Sequence, residues 1–583
     1  MKKLFKSFTK KDYFLMLVVI GLIVCQVWLD LTMPDFTSKL TSSVLGENLT
    51  IGDILYNGGM MLLCALFSLI CSIICGFIVS KIASSFSKNT RNNLFNTVST
   101  FSAEEMNRFS TSSLITRTTN DVDQLHRFIA MGLQLLIKAP ILAIWAICKI
   151  STSSIQWTLA TVICVVVIVL VVSLIVTLCI PKFKKVQKLT DDLNNATREN
   201  LSGVRVVRAF NAEDYQEQKF EIANNNLTKN QLVTSKITGF MSPVLTICMN
   251  GLTLAIYWIG AILINKAQLS EKAVIIGNMT AFTQYALQVV MAFMMLIMMF
   301  IILPRVVVST KRVIQVLNTR PSITSGNKKV LNEKNKGEIE FKNVNFHFPD
   351  GANNALENIN LKINSGETVA VIGATGSGKT TLLDLMTRVY DVSSGEIKVD
   401  GINIKDYSLK TLNSKISVAN QKAVLFKGTI KSNITYGSNE IISDNDERLS
   451  NALNIAQADF VYGLSDGINS EVTQGGTNFS GGQKQRLSIA RAIFKDSEII
   501  AFDDSFSALD YKTDAIVRQK IKENLSNKTI IIIAQRIGTI MNSDKIVVLD
   551  KGKIVGIGKH KELLENCPIY KEIALSQLSK EEL

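Results

Sequence analysis

The sequence predicts an all-α membrane-spanning domain followed by an α/β domain. Three observations carry that expectation: six apolar runs of membrane-crossing length precede Pro304, the composition turns polar after Pro321, and a GxxxxGK[ST] loop follows an apolar β-type run. At 583 residues the chain exceeds what one hydrophobic core supports, so at least two domains are expected. A mean hydropathy of +0.23 with 19% charged residues is too apolar for a fully hydrated surface.

A bilayer core about 30 Å thick is crossed by roughly 20 helical residues. Spans are expected at about 14-33, 54-82, 128-150, 157-180, 237-264 and 274-303, within a membrane domain covering 1-320. Five of the runs carry no Asp, Glu, Lys or Arg: Phe14 to Leu29, Ile54 to Ser80, Ser151 to Ile180, Ile237 to Asn265 and Ala273 to Pro304. The third, Phe128 to Ile150, holds Lys138 and Lys149. Lys138 has two readings: a cation that touches cargo, or a side chain reaching the headgroups from the inner part of the helix. Lys149, beside the short loop Ser151 to Gln156, reads as interfacial.

The net charge of +14 raises nucleic-acid binding as a class, since clustered Lys and Arg displace counterions from phosphates. The positions favour a membrane instead. Lys2, Lys3, Lys6, Lys10 and Lys11 precede the first run, and Lys182, Lys184, Lys185 and Lys188 follow the fourth, as cytoplasmic flanks should. That bias puts the amino terminus and both long hydrophilic segments, about 82 to 127 and 182 to 236, inside. Leu193, Thr197, Leu201 and Val204 repeat at helical spacing, so the membrane helices are expected to continue into the cytoplasm. None of the nine cysteines forms a CxxC pair, and eight lie in or beside apolar runs as small packing residues.

Residues 321-337 read as a polar linker and 338-583 as the α/β domain. Gly373-Ala374-Thr375-Gly376-Ser377-Gly378-Lys379-Thr380 follows the run Thr368 to Ile372 and opens a helix-like segment. Glycines let backbone N–H groups close around phosphates, Lys379 supplies a point charge, and Thr380 reaches Mg²⁺. Ile499 to Asp503 is a buried strand ending in a carboxylate, the arrangement that holds the hydrated metal. ATP with Mg²⁺ is the ligand these residues imply.

Phe479-Ser480-Gly481-Gly482-Gln483, just ahead of that strand, resembles the signature of ATP-binding cassette (ABC) transporters. Ser507 to Asp510 resembles the family's D-loop, Gln421 its Q-loop, and Phe348 its aromatic platform for adenine. Glu199 to Phe210 and Arg117 to Asp121 resemble the intracellular loops of its six-helix, type I exporter class. The resemblance covers nearly the whole chain. It implies that two cassettes stack head to tail, so that Phe348 and Gly373 to Thr381 of one face Ser480, Gly481, Gly482 and Gln483 of the other. Thr380, Gln421 and Asp503 would surround Mg²⁺. Coupling helices are expected near Thr111 to Thr118 and Asn211 to Gln216.

Three departures from the family pattern are equally informative. Asp504 stands where the family has the Glu that orients the attacking water, Gln535 replaces its switch histidine, and Gln474 replaces a Glu ahead of the signature. Asp504 is one methylene short, and general bases contribute typically 10²–10⁴-fold. The amide of Gln535 can hydrogen-bond but carries no charge. Both belong to the site built on this chain's own P-loop, whereas the signature serves the other site. The expectation is therefore a heterodimer: an ATP-hydrolysing translocase whose own P-loop site is slow, with a second half-transporter that keeps Glu and His.

Outward export of amphipathic compounds across the cell membrane, as in multidrug efflux, is the expected function, with no nucleic-acid partner. Rivals are a homodimeric lipid or peptide exporter using Asp504 as base, and a nucleotide-gated regulator or channel. Met291, Met294, Met295, Met298 and Met299 with Phe293 and Phe300 would offer varied apolar cargo a soft surface, or simply pack against lipid and neighbouring helices.

Overall fold

Apolar residues on every side of a helix leave no face for water, and most of the described residues before 320 fold accordingly into long helices that expose apolar side chains outward. The computed structural model describes residues 2–45, 51–151, 155–328, 336–349, 351, 353–438 and 442–578. It divides into two units: Met1–Ser99 with Thr111–Thr319, and Thr100–Ser110 with Arg320–Leu583.

In the first unit, six candidate membrane spans are found among the described residues. They are carried by helices Lys10–Leu45, Ile51–Val98, Leu133–Ser151, Ile155–Ser202, Met241–Lys266 and Leu269–Asn318. Several overrun the bilayer: 48 residues of Ile51–Val98 at about 1.5 Å each reach about 72 Å, more than twice the hydrocarbon thickness. The helix Glu213–Gly239 continues the polar part of the segment 182 to 236, so both long hydrophilic segments are largely helical. Prolines such as Pro34, Pro140 and Pro181 lie inside helices, where each removes one backbone hydrogen bond. Residues 46–50, residues 152–154 of the loop Ser151 to Gln156, and 329–335 of the linker lie outside the described residues.

The core of this unit interleaves Val19, Ile23 and Val27 with Leu142, Ala146 and Ile150 and with Phe282, Ala286 and Val289. Several polar groups are paired across it, because an unpaired one has no water to turn to. Trp157 Nε1 donates to the Ile256 carbonyl at 3.2 Å. Lys138 Nζ lies 3.2 Å from Asp30 Oδ2, and Asp30 also accepts from Ser68 Oγ at 2.6 Å. Lys149 Nζ pairs with Asp35 at 2.6 Å, whose other oxygen accepts from Tyr285 at 2.5 Å. Neither reading of Lys138 anticipated this. The cation is neutralised by a carboxylate one residue beyond the first apolar run. All nine cysteines are free thiols.

The second unit contains two main sheets. One is antiparallel, with order β2-β1-β4-β5: β1 Ile339–Phe346, β2 Leu356–Ile363, β4 Ser394–Val399, β5 Ile402–Asn403. The other holds β3 Thr368–Gly373, β6 Ile416–Ala419, β9 Ile499–Asp503, β10 Thr529–Ile533, β11 Lys545–Asp550 and β12 Lys553–Gly558. Its order is β12-β11-β3-β10-β9-β6, parallel except for the edge strand β12. Every residue of β9 and β10 is buried, which is why these strands read as unbroken apolar runs rather than alternating ones. Truncating one of them, such as Ile532 to Ala, costs about 2–5 kcal/mol. A small pair, β7 Gly428–Thr429 and β8 Glu471–Val472, completes the strands.

A short helix does occupy Thr111–Thr118, where a coupling helix is expected. The short helix grouped with the cassette is Ala103–Phe109, whereas Thr111–Thr118 belongs to the membrane unit. Within the second unit, Ser102 caps that helix and Glu105 closes a capping box, accepting from Ser102 N at 2.8 Å. Glu105 also accepts from Ser322 N at 2.9 Å, and Asn107 donates to the Tyr390 hydroxyl at 3.1 Å. Arg117, by contrast, donates to the Arg312 carbonyl and to Gln315 inside the membrane unit.

Candidate nucleotide site

Parallel strands end together, and loops leaving their carboxyl ends converge in space. Register pairs Ile533 of β10 with Val371 of β3 on one side and with Asp503 of β9 on the other. The loop Gly373–Gly378, the carboxylates Asp503 and Asp504, and Gln535 therefore emerge at one edge of the sheet.

They meet in a pocket of about 310 Å³ lined by Phe348, Ala355, Thr375, Gly376, Gly378, Lys379, Thr380, Thr381, Gln421, Asp503, Asp504, Ile533 and Gln535. Lys379 Nζ donates to the carbonyls of Gly373 and Ala374, both at 2.8 Å, which holds its charge under the loop. Gly378 has φ +102, and a side chain there would come within 2.6 Å of Leu356, so only glycine permits this turn. At Gly376, φ +82, an added Cβ would meet only open space. Thr380 Oγ1 donates to Asp503 Oδ1 at 3.3 Å. Phe348, half exposed at the pocket rim, is held edge-on by Phe346 and Tyr390 at ring distances of 4.9 and 5.5 Å.

These residues fit a polyphosphate with a divalent cation. Ser377 Oγ is buried without a partner among the described residues, and the glycine loop leaves room for anionic oxygens. Among the described residues no cluster of His, Cys, Asp and Glu could hold a metal alone. Thr380 and Asp503 are what such a cation finds when phosphate and water complete its shell. Burial pushes the Lys379 ammonium below its ordinary value against the pull of Asp504 and Asp503, and raises the Asp503 and Asp504 carboxyls. A bound polyanion with its cation would reverse both tendencies.

Asp504 is the most constrained residue here. Its backbone is left-handed, φ +45, a region Asp tolerates better than most residues. Its Oδ2 accepts from Gln421 Nε2 at 3.3 Å and from Gln535 Nε2 at 3.1 Å. Sequence reasoning placed all three in one site but missed that the two amides share one carboxylate oxygen.

Ser480 to Gln483 lie outside this pocket. Ser480 caps the 14-residue helix Gly481–Phe494, its Oγ accepting from Gln483 N at 3.3 Å while Gln483 Oε1 accepts from Ser480 N at 2.9 Å. A Cβ on Gly481 would meet nothing within 4 Å, so the helix start is bare. Gln474, in the turn Gln474–Gly476, is exposed and also outside the pocket.

Sequence reasoning also missed Asp384. It lines a second cavity of about 530 Å³ in this unit, with Asp503, Arg388, Lys495 and residues 100–103. Burial, reinforced by Asp503, raises its carboxyl to about 6. Only its spacing on the helix after the P-loop could have pointed to it.

A P-loop pocket in an α/β unit, joined in one chain to six membrane spans, defines a membrane transporter that uses ATP. The profile of the ABC transporter transmembrane region matches residues 16–293, and that of the ABC transporter matches residues 356–507. The chain is 35% identical over 547 residues to an uncharacterized ABC transporter ATP-binding protein of Mycobacterium tuberculosis, covering 93% of each. It is 31% identical over 579 residues to the uncharacterized ABC transporter ATP-binding protein YfiB of Bacillus subtilis, covering 99% of this chain and 98% of the relative. Its fold matches a bacterial Atm1-family ABC exporter solved with ATP bound, with TM-score 0.80, 22% identity, and 97% and 98% of the two chains covered. The chain belongs to the ABC transporter family: a multi-pass membrane protein whose cassette binds ATP, normally with Mg²⁺, and couples its hydrolysis to transport.

Proposed function

We propose that this chain is one subunit of a heterodimeric exporter that moves amphipathic compounds outward across the cell membrane, with its amino terminus and cassette in the cytoplasm. Multidrug efflux is the activity this reading favours. One observation carries it: the carboxylate in the water-activating position is a shortened Asp504, bonded by Gln421 and Gln535, while the signature helix start is intact and lies outside that pocket.

In this reading the Gly373–Gly378 amides and Lys379 cradle the phosphates, Phe348 stacks on adenine, and Thr380 and Asp503 hold Mg²⁺, which supplies charge neutralisation at the phosphates when bound. Asp504 is too short to hold water in line, and Gln535 offers hydrogen bonds without charge. ATP at this site therefore acts mainly as a clamp between the cassettes. Ser480, Gly481, Gly482 and Gln483 complete a fast site on a partner that retains Glu and His, where helix-start amides stabilise transferring phosphoryl charge. Closure of the cassettes opens the membrane unit outward and hydrolysis resets it.

The test is turnover by composition. Purified alone, the chain should hydrolyse ATP at a few per cent of the rate it shows when co-assembled with its partner, and only the assembly should give vanadate-sensitive transport into inverted vesicles. Brisk turnover by the chain alone contradicts the proposal.

A further inference from the structure

At the junction between span and cytoplasm, within the membrane unit, a cavity of about 240 Å³ is lined by Gln124, Arg127, Phe128, Met131, Gly132, Leu135, Met299, Ile302 and Arg305. Its chemistry is divided. Arg127 immediately precedes the apolar run Phe128 to Ile150, and Arg305 immediately follows the run Ala273 to Pro304, so both guanidiniums stand at the same membrane boundary on neighbouring helices. The other walls are mostly apolar, with two methionines that adapt to irregular shapes.

Three features separate this cavity from an ordinary cationic flank. First, no carboxylate lines it, and neither arginine has an ion-pair partner among the described residues. The nearby acids are engaged elsewhere: Asp123 with Arg91 at 2.9 Å, and Asp121 with Ser309 at 2.8 Å and Arg312 at 3.3 Å. Second, the helix is locally widened into a π-turn over Phe128–Gly132, a distortion that often marks functional positions. Third, Gly132 is packed so that an added Cβ would approach Met299 at 3.2 Å and Phe128 at 3.3 Å. The bare glycine keeps the apolar floor open beneath two unneutralised guanidiniums.

We infer that this cavity is a binding site for an anionic amphiphile, whose phosphate or carboxylate head bonds Arg127 and Arg305 while its chain lies against Met131, Leu135, Met299 and Ile302. Guanidiniums suit this role because their fork can bond two oxygens of a carboxylate or a phosphate at once, and pairing at a boundary of low dielectric is stronger than in water. Gln124 offers an amide for the neutral part of the head. The inference rests on the transporter reading above only for what the bound molecule does next. Such a molecule could be cargo or a resident anionic lipid, and the chemistry of recognition is shared.

The full-length chain, in its native assembly in nanodiscs of neutral lipid, is titrated with fluorescent short-chain phosphatidylglycerol and, separately, with matched phosphatidylcholine. The wild type should bind the anionic probe at least tenfold more tightly, a preference that weakens with salt. The double variant Arg127→Gln/Arg305→Gln should lose that preference while binding the neutral probe within about twofold of wild type. Arg127→Lys/Arg305→Lys should restore part of it, and unchanged ATP binding by each variant shows an intact fold. Equal affinity of the wild type for both probes, or an anionic preference that survives the Gln double variant, would overturn the site. ATP-driven movement of the probe across proteoliposomes identifies it as cargo, and exchange without movement identifies a resident lipid. Either outcome sustains the site, and because ATP turnover is recorded separately, failure of the transporter reading remains distinguishable.

Discussion

The two working ends of the cassette unit have been treated differently. At the P-loop end, the glycine loop and Lys379 form a cradle, and beside it Asp504 is left-handed and bonded by two amides. At the signature end, Ser480 and Gln483 form a reciprocal cap, and Gly481 leaves the helix start bare. Under the proposed reading, the first end holds nucleotide and the second completes a site elsewhere. A chain under no constraint would be expected to lose both, because a cradle without a clasp has no use. In the heterodimer proposed above, this difference would divide function between subunits rather than lose it.

The largest effect should come from the end that matches the family. Gly481→Asp places a carboxylate on the bare helix start, where it both fills the approach path and repels phosphate, and steady-state ATP turnover of the assembled transporter should fall by about 10²-fold or more. A change of less than about threefold would break the comparison by showing that this end does not serve catalysis. The opposite repair sharpens it. Asp504→Glu together with Gln535→His should raise single-turnover hydrolysis at this chain's own site by at least about tenfold, within what a positioned general base contributes.

A smaller effect concerns stability next to the cradle. The Asp384 carboxyl, at about 6, lies above the ordinary value near 4, so the folded chain holds a proton that the unfolded chain has released across about pH 4 to 6. Its contribution is therefore most favourable at low pH and is lost as pH rises through about 6. Asp384→Asn should stabilise the chain at pH 7.5, in buffer free of nucleotide and Mg²⁺, by about 1–2 kcal/mol after allowance for partial exposure, and by about half as much at pH 5. Thermal melting at the two pH values checks this, and an equal shift at both would remove the electrostatic explanation.

Much of this was legible in the residues. The six spans follow from apolar length alone, and the P-loop with its strand fixed the nucleotide pocket because a motif confined to consecutive residues needs no tertiary knowledge. What stayed hidden depended on side chains far apart in the chain. Lys138 gave no sign of its partner, since Asp30 sits just past the apolar run and belongs to another helix. The coupling expectation named Thr111 to Thr118 and passed over Ala103–Phe109, the short helix grouped with the cassette unit, whose Ser102 and Glu105 cap a closer reading of S-x-x-E spacing would have found. The bonds from Gln421 and Gln535 to Asp504 join residues 83 and 31 positions apart, and only the sheet order brings them together.

The most direct measurement is steady-state ATP turnover of the assembled transporter carrying Asp504→Asn, which removes the carboxylate's charge while keeping its size and its tolerance of the left-handed backbone. If this site only clamps nucleotide, turnover should stay within about twofold of wild type, because the general base that matters lies on the partner. A fall of 10²-fold or more would make Asp504 the working base and contradict the division between the two ends.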